Sequence, residues 1–218
     1  MAMLRLRALE RFVAAPEAAP DERTRCELCA APIGEPHPHV VERASRALKC
    51  ACGPCAILFR DPGAGGGRWR TVPERVAHDP ALAIDAAEWA ALGLPVRIAC
   101  IHRVGSAWRA ALPSPAGPVE AELPEAPWRA LAARSPLVAS LDDEVEALLV
   151  RRERSGAPGD LLLAPVDAGY ALVALVKRTW RGFSGGDEAA RAVDEFFAAL
   201  RARSRPIARE RGATHGVR

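Results

Sequence analysis

Lysine is nearly missing from this chain. Only Lys49 and Lys177 stand among its 30 basic residues, and the rest are Arg. With 27 acids opposing them, the formal net charge is +3. A balance that small gives little electrostatic reason to expect a nucleic-acid partner, and no basic, aromatic-interleaved patch accompanies it. Aromatics make up 5% of a chain that is rich in Ala, so the core is expected to be mostly aliphatic. No apolar run approaches the ~20 residues of a membrane span. The N-terminal stretch also lacks the continuous apolar segment of an export signal, because Glu10 interrupts it. The expectation is a cytoplasmic protein with no membrane partner. Since 50% of the residues are hydrophobic, a packed core is favoured over disorder.

What the chain does have is clustered cysteine. Of its 6 cysteines, Cys26, Cys29, Cys50, Cys52 and Cys55 fall in one short stretch, and Cys100 stands apart. Without an export signal, such a cluster points to metal or redox chemistry rather than to a disulfide framework. The spacing is C-x2-C, then 20 residues, then C-x-C-x2-C. A two-residue gap lets both thiolates of one turn face one ion, and two such turns complete a tetrahedron. Cys26, Cys29, Cys52 and Cys55 are therefore the expected ligands of one zinc ion per chain. Cys50, His37 and His39 are alternates. Otherwise Cys50 is a spare thiol, and the two histidines are solvated loop residues. Iron suits the same four thiolates.

The residues between the pairs support a particular layout. HVVER at 39–43 and RALKC at 46–50 alternate as a hairpin, and Gly53-Pro54 opens a helix that carries Cys55 through Phe59. A knuckle, a hairpin and a helix bearing the second thiol pair make a treble-clef or zinc-ribbon-like module, expected over residues 25–72. Two catalytic readings compete with it. Cys52-Gly53-Pro54-Cys55 is the tetrapeptide of thioredoxins, but Ala51 stands where that family has Trp, and no βαβ unit precedes it. CELC followed by His37-Pro38-His39 and a second C-x2-C resembles an HNH endonuclease. The following AILFR supplies neither the His nor the Asn that would hold a catalytic metal.

Around the module, residues 1–24 read as an amphipathic helix over 3–14 and a linker. Residues 73–205 read as an α+β domain, and 206–218 as a loose basic tail. Gly63–Gly67 is expected to be a flexible turn, followed by a strand at 68–72 whose Arg68-Trp69-Arg70 looks exposed. Within the domain, the pattern predicts a helix over 80–92, strands at 95–103, 107–112 and 119–123, and a helix from Pro127 to Ala133. A second helix is expected from an N-cap at Ser140 to Arg152, because Asp142, Asp143 and Glu144 open it and Arg151 and Arg152 close it. A strand at 161–166 follows. Two final helices are expected, one capped by Asp167 and one starting at Ser184-Gly-Gly-Asp187. Cys100 and His102 alternate on a strand and read as a core thiol and a rim imidazole.

Three stretches, RCELCAAPIGEPHPHVVE, LKCACGPCAILFRDPGAGGGRWRTVPERV and LVALVKRTWRGFSGGDEAARAVDEFFAAL, resemble a bacterial domain-of-unknown-function family, family 5947, found largely in actinobacteria. Its members are often encoded beside nickel–iron hydrogenase genes and their maturation factors. The resemblance implies a non-enzymatic accessory protein whose partner is a hydrogenase subunit or maturation factor. It implies no catalytic residue. It also implies Cys at position 169, where this chain has Gly. The alternative is a thiol-redox or iron–thiolate electron-transfer protein using the same cysteines.

Overall fold

The computed structural model describes residues 25–152, 159–182 and 185–208. The expected helix over 3–14, the linker at 15–24, the tail beyond residue 208 and the first residue of the 184–187 cap lie outside those residues.

HVVE and LKC pair as an antiparallel hairpin, β1 (His39–Glu42) and β2 (Leu48–Cys50), with His39 opposite Cys50 and with Val40 and Val41 buried on its two faces. The chain then enters α1 (Gly53–Leu58), with Pro54 in its first turn. A tight turn at Ala64–Gly67 follows. It needs glycine at Gly65, whose φ is +58° and whose added Cβ would lie 2.9 Å from the Phe59 ring. From there β3 (Trp69–Thr71) returns to pair with the other edge of β1, so the first sheet has the order β2-β1-β3. Trp69 is not exposed as its alternating pattern indicated. It is half-buried, 6.3 Å from the Phe59 ring, because the sheet face it lies on covers the cysteine cluster.

The second sheet has seven strands. β4 (Ala77–His78) precedes α2 (Ala86–Ala91), then β5 (Ile98–Val104), β6 (Ala107–Leu112) and β7 (Val119–Glu122). α3 (Glu125–Arg134) and α4 (Pro136–Ala139) lead to β8 (Glu146–Arg151) and β9 (Asp160–Pro165). α5 (Val166–Thr179), α6 (Gly186–Arg203) and β10 (Arg205–Pro206) complete it. The order is β10-β4-β9-β8-β5-β6-β7, antiparallel throughout except for the β10–β4 pair.

Helices cover both faces of this sheet. Ile101, Leu148, Val150 and Leu163 face the layer that contains Trp89, Trp128 and Leu137 of α2–α4. Their neighbours Cys100, Leu149 and Leu162 face Leu172, Val176 and Phe197 of α5 and α6. Trp128 stacks on Trp108 at 5.2 Å between centroids and donates Nε1–H to the Leu92 carbonyl at 3.0 Å. The fold is α+β, with a zinc-ribbon-like module at its front.

Two expected helices change. The helix expected over 80–92 is confined to α2, because Asp85 accepts from the Glu88 N–H and sets the N-terminus there. The helix expected from Ser140 to Arg152 is replaced by β8. Ser140 instead closes α4, its hydroxyl donating to the Leu137 carbonyl at 3.1 Å. Ala147 to Val150 are all buried because β8 lies at the centre of the sheet with helices on both sides, so its apolar run does not alternate. The acids that looked like a helix start have other partners. Arg70 Nη2 donates to Asp142 at 2.6 Å, Arg70 Nη1 to Glu144 at 2.9 Å, and Arg43 Nε to Glu144 at 2.7 Å. These bonds, with a small apolar contact of Val41, Val72 and Val145, join the cysteine module to the seven-stranded sheet.

Candidate metal centre

The first thiol pair sits in a knuckle whose turn is closed by backbone bonds. The Ala30 N–H donates to the Cys26 carbonyl and the Cys26 N–H to the Ala31 carbonyl, both at 2.8 Å. Glu27, between the two cysteines, anchors the knuckle to β2. Its N–H donates to the Cys50 carbonyl at 2.9 Å, and its carboxylate accepts from the Cys50 N–H at 2.6 Å and from Lys49 Nζ at 3.0 Å. The second pair is set by α1: Cys52 is its N-cap, in extended backbone, and Cys55 lies in its first turn.

These elements bring the Sγ atoms of Cys26, Cys29, Cys52 and Cys55 within 4.8 Å of one another. Four thiolates bound ~2.3 Å from a tetrahedral ion stand about 3.8 Å apart. Cys29 and Cys52 are 3.6 Å apart, so the donor set and spacing fit such an ion. Cys26 and Cys52 are buried among Val40, Ala51, Ala56 and Phe59, which form a core of their own.

The electrostatics divide the thiols. Burial pushes the Cys26 thiol up, but N–H groups of Cys52, Leu28 and Cys29 and the Cys29 thiol outweigh it, and Cys26 comes down to about 6. Burial drives Cys55 well above the ordinary thiol range, and hydrogen bonds with its three neighbouring thiols add to that. At Cys29 the Ala31 N–H favours the thiolate, yet contacts with the Cys26 and Cys52 thiols prevail and raise it. One anion thus forms readily and discourages the rest. A bound dication would reverse that repulsion and hold all four as thiolates.

Cys50, His37 and His39 do not join this cluster. They form a separate group whose ligand atoms also lie within 4.8 Å of one another. Cys100 lies far along the chain in the main core, under α5. Burial pushes its thiol to about 12, and a Cβ placed on Gly169 would meet its Sγ at 3.4 Å. His102 is partly buried, with Glu120 Oε2 3.7 Å away. The contacts that sequence reasoning missed are long-range: His39 with Asp167, Arg43 and Arg70 with Glu144, and Arg75 with Glu146. The run Asp142-Asp143-Glu144 and the lone Glu146 within an apolar stretch were the available signals.

Among the described residues no helix is long and apolar enough to cross a membrane. No curated protein and no solved structure matches the chain. One family model does match, and it runs from the residue before Cys26 to the end of α6, residues 25–204. Both thiol pairs and the whole seven-stranded sheet up to β10 fall within it, and the chain belongs to that family of unknown function, DUF5947.

Proposed function

We propose that this chain is a zinc-binding, non-enzymatic accessory protein of the cytoplasm that acts through contacts with another protein. One zinc per chain would be held by Cys26, Cys29, Cys52 and Cys55. The observation that carries this reading is the closed donor set. Four protein thiols at tetrahedral spacing leave no coordination position for a substrate, which is the pattern of a structural ion rather than a catalytic one. The ion would then rigidify a module too small to hold itself together by its own core.

A rigid module has a use if it presents a surface. On α1, two and three residues after Cys55, Ile57 is 63% exposed and Leu58 59% exposed. Ile57 borders a groove of about 620 Å³, shared with Arg60, Thr71, Glu74 and Arg75. An apolar anchor beside a rim of mixed charge, Arg60, Arg70 and Arg75 with Glu74, Asp142 and Glu146, has the composition of a protein-binding surface. Trp69 is a weaker candidate for the anchor, since it is partly buried against the cysteine core, with its ring 6.3 Å from that of Phe59. The hydrogenase setting comes from the resemblance of the sequence to its family, and the partner proposed is a hydrogenase subunit or maturation factor. Pull-down from the native cell tests both parts. The wild-type chain should recover such a partner, and Ile57→Asp/Leu58→Asp should lose it while keeping its zinc. Recovery of the same partner by both, or full hydrogen uptake in a deletion strain, would refute the reading.

A second reading has one observation in its favour. Cys26, whose thiol backbone N–H donors bring down to about 6, sits in a cluster of four, as a thiol-redox or iron–thiolate protein would require. Metal analysis and colour distinguish the two, because zinc–thiolate is colourless and iron–thiolate is red or brown.

A further inference from the structure

His39 and Cys50 are directly opposite each other on β1 and β2, so their side chains share a face. His37 lies two residues before His39, and its ring is 5.0 Å from the His39 ring. In each histidine Nδ1 is already engaged. His37 Nδ1–H donates to the Gly34 carbonyl at 3.0 Å, with Glu35 Oε1 3.4 Å away. His39 Nδ1 lies 3.0 Å from Asp167 Oδ2, in the first turn of α5. A carbonyl or carboxylate can only accept, so Nδ1 carries a proton, and in the neutral imidazole the lone pair is then on Nε2. A carboxylate or carbonyl behind Nδ1 is the support that metal-bound imidazoles carry.

The His37 side chain is 8% exposed, and its Nε2 has no hydrogen-bond partner. Burying an unpaired polar atom is costly, and a bound ligand would remove that cost. One ligand atom from each of His37, His39 and Cys50 lies within 4.8 Å of the other two, and all three are residues that bind metals. We infer that His37, His39 and Cys50 form a second metal site, separate from the four cysteines, for a borderline first-row dication such as Zn²⁺ or Co²⁺. Two imidazoles and one thiolate suit that class, and hard cations that prefer oxygen are excluded. Three protein donors leave one position open, so an ion here takes a fourth ligand from outside: water, a small thiol, or a side chain of another protein. Because His39 is held by Asp167, the site also ties the cysteine module to α5.

The test uses the full chain, purified with one zinc per chain and titrated with Co²⁺ under reducing conditions. The wild type should bind a further equivalent, with tetrahedral cobalt bands and the charge-transfer absorption of one thiolate. Cys50→Ser should abolish the charge-transfer band, and His37→Gln should abolish the second equivalent while the first zinc stays. Asp167→Asn should weaken the second site by ~10–100-fold, as loss of an outer-shell partner does. Saturation of the wild type at one metal per chain would overturn the inference. So would a second equivalent that survives both Cys50→Ser and His37→Gln.

Discussion

The Arg75–Glu146 pair lends itself to a quantitative test. Glu146 opens the central strand β8 and is 1% exposed. Its carboxylate accepts from Arg75 Nε, from Arg75 Nη2 at 2.7 Å and from the Asp142 N–H at 3.0 Å. Arg75→Ala removes two charge-assisted bonds and leaves a buried anion with one backbone donor. Stranding a buried charge costs ~3–5 kcal/mol. The Arg75 side chain is itself 49% exposed, so water reaches the outer side of the pair and the loss should be about 3 kcal/mol. That is a large share of the ~5–15 kcal/mol that holds a domain together. Urea unfolding followed by circular dichroism measures it, and Arg75→Ala/Glu146→Leu should recover most of the loss. A single variant within about 0.5 kcal/mol of wild type at pH 7, where a change at an uninvolved surface site would fall, refutes the argument. A double variant no better than the single does so as well.

Serine at Cys26, Cys29, Cys52 or Cys55 should lose the first metal and unfold the cysteine module, since structural zinc supplies ~10–16 kcal/mol of apparent binding energy. Hydrogen exchange should show β1, β2 and α1 unprotected while β8 and β9 stay protected. His78 is held below the usual imidazole value by burial and by Arg201, with Nδ1 2.8 Å from Ser204 Oγ. Its contribution is therefore present above pH 6.5 and lost as pH falls through its lower folded value, so His78→Asn should gain on wild type in urea midpoint at acid pH. Leu148→Ala, at a fully buried position of the central strand, should cost ~2–5 kcal/mol by the same measurement. Neither DNA cleavage with added divalent metal nor disulfide reduction above a free-thiol control is expected, and turnover that vanishes in His39→Ala or Cys52→Ser would contradict that.

The legible parts of the fold were those whose cause is local. The hairpin at His39–Cys50 carries a β-branched pair flanked by polar residues, the thiol pairs declare their spacing, and α5 and α6 carry apolar residues at helical intervals under acidic first turns. β8 was misread because a strand covered on both faces does not alternate, and its flanking charges imitate helix caps. β4 and β10 are two residues each, too short to show any period. The join between module and sheet left no local trace. Arg70 meets Asp142 across 72 positions of chain, and His39 meets Asp167 across 128. His37 was read as a solvated loop residue, because nothing in a Pro-rich segment foretells that its ring is covered.

β9 ends at Pro165 and α5 begins at Val166, with no residue between them. Adding one residue there would turn the helix by about 100°. Ala168, Leu172 and Val176 would rotate off the sheet, and Asp167 would swing away from His39. Chain length at that junction is therefore locked by both the core and the histidine. The turn at Gly105–Ser106, between β5 and β6, is exposed at both residues and makes no such demand. An epitope tag or a circularly permuted terminus belongs at Gly105–Ser106, and the same insertion after Pro165 should yield no folded protein.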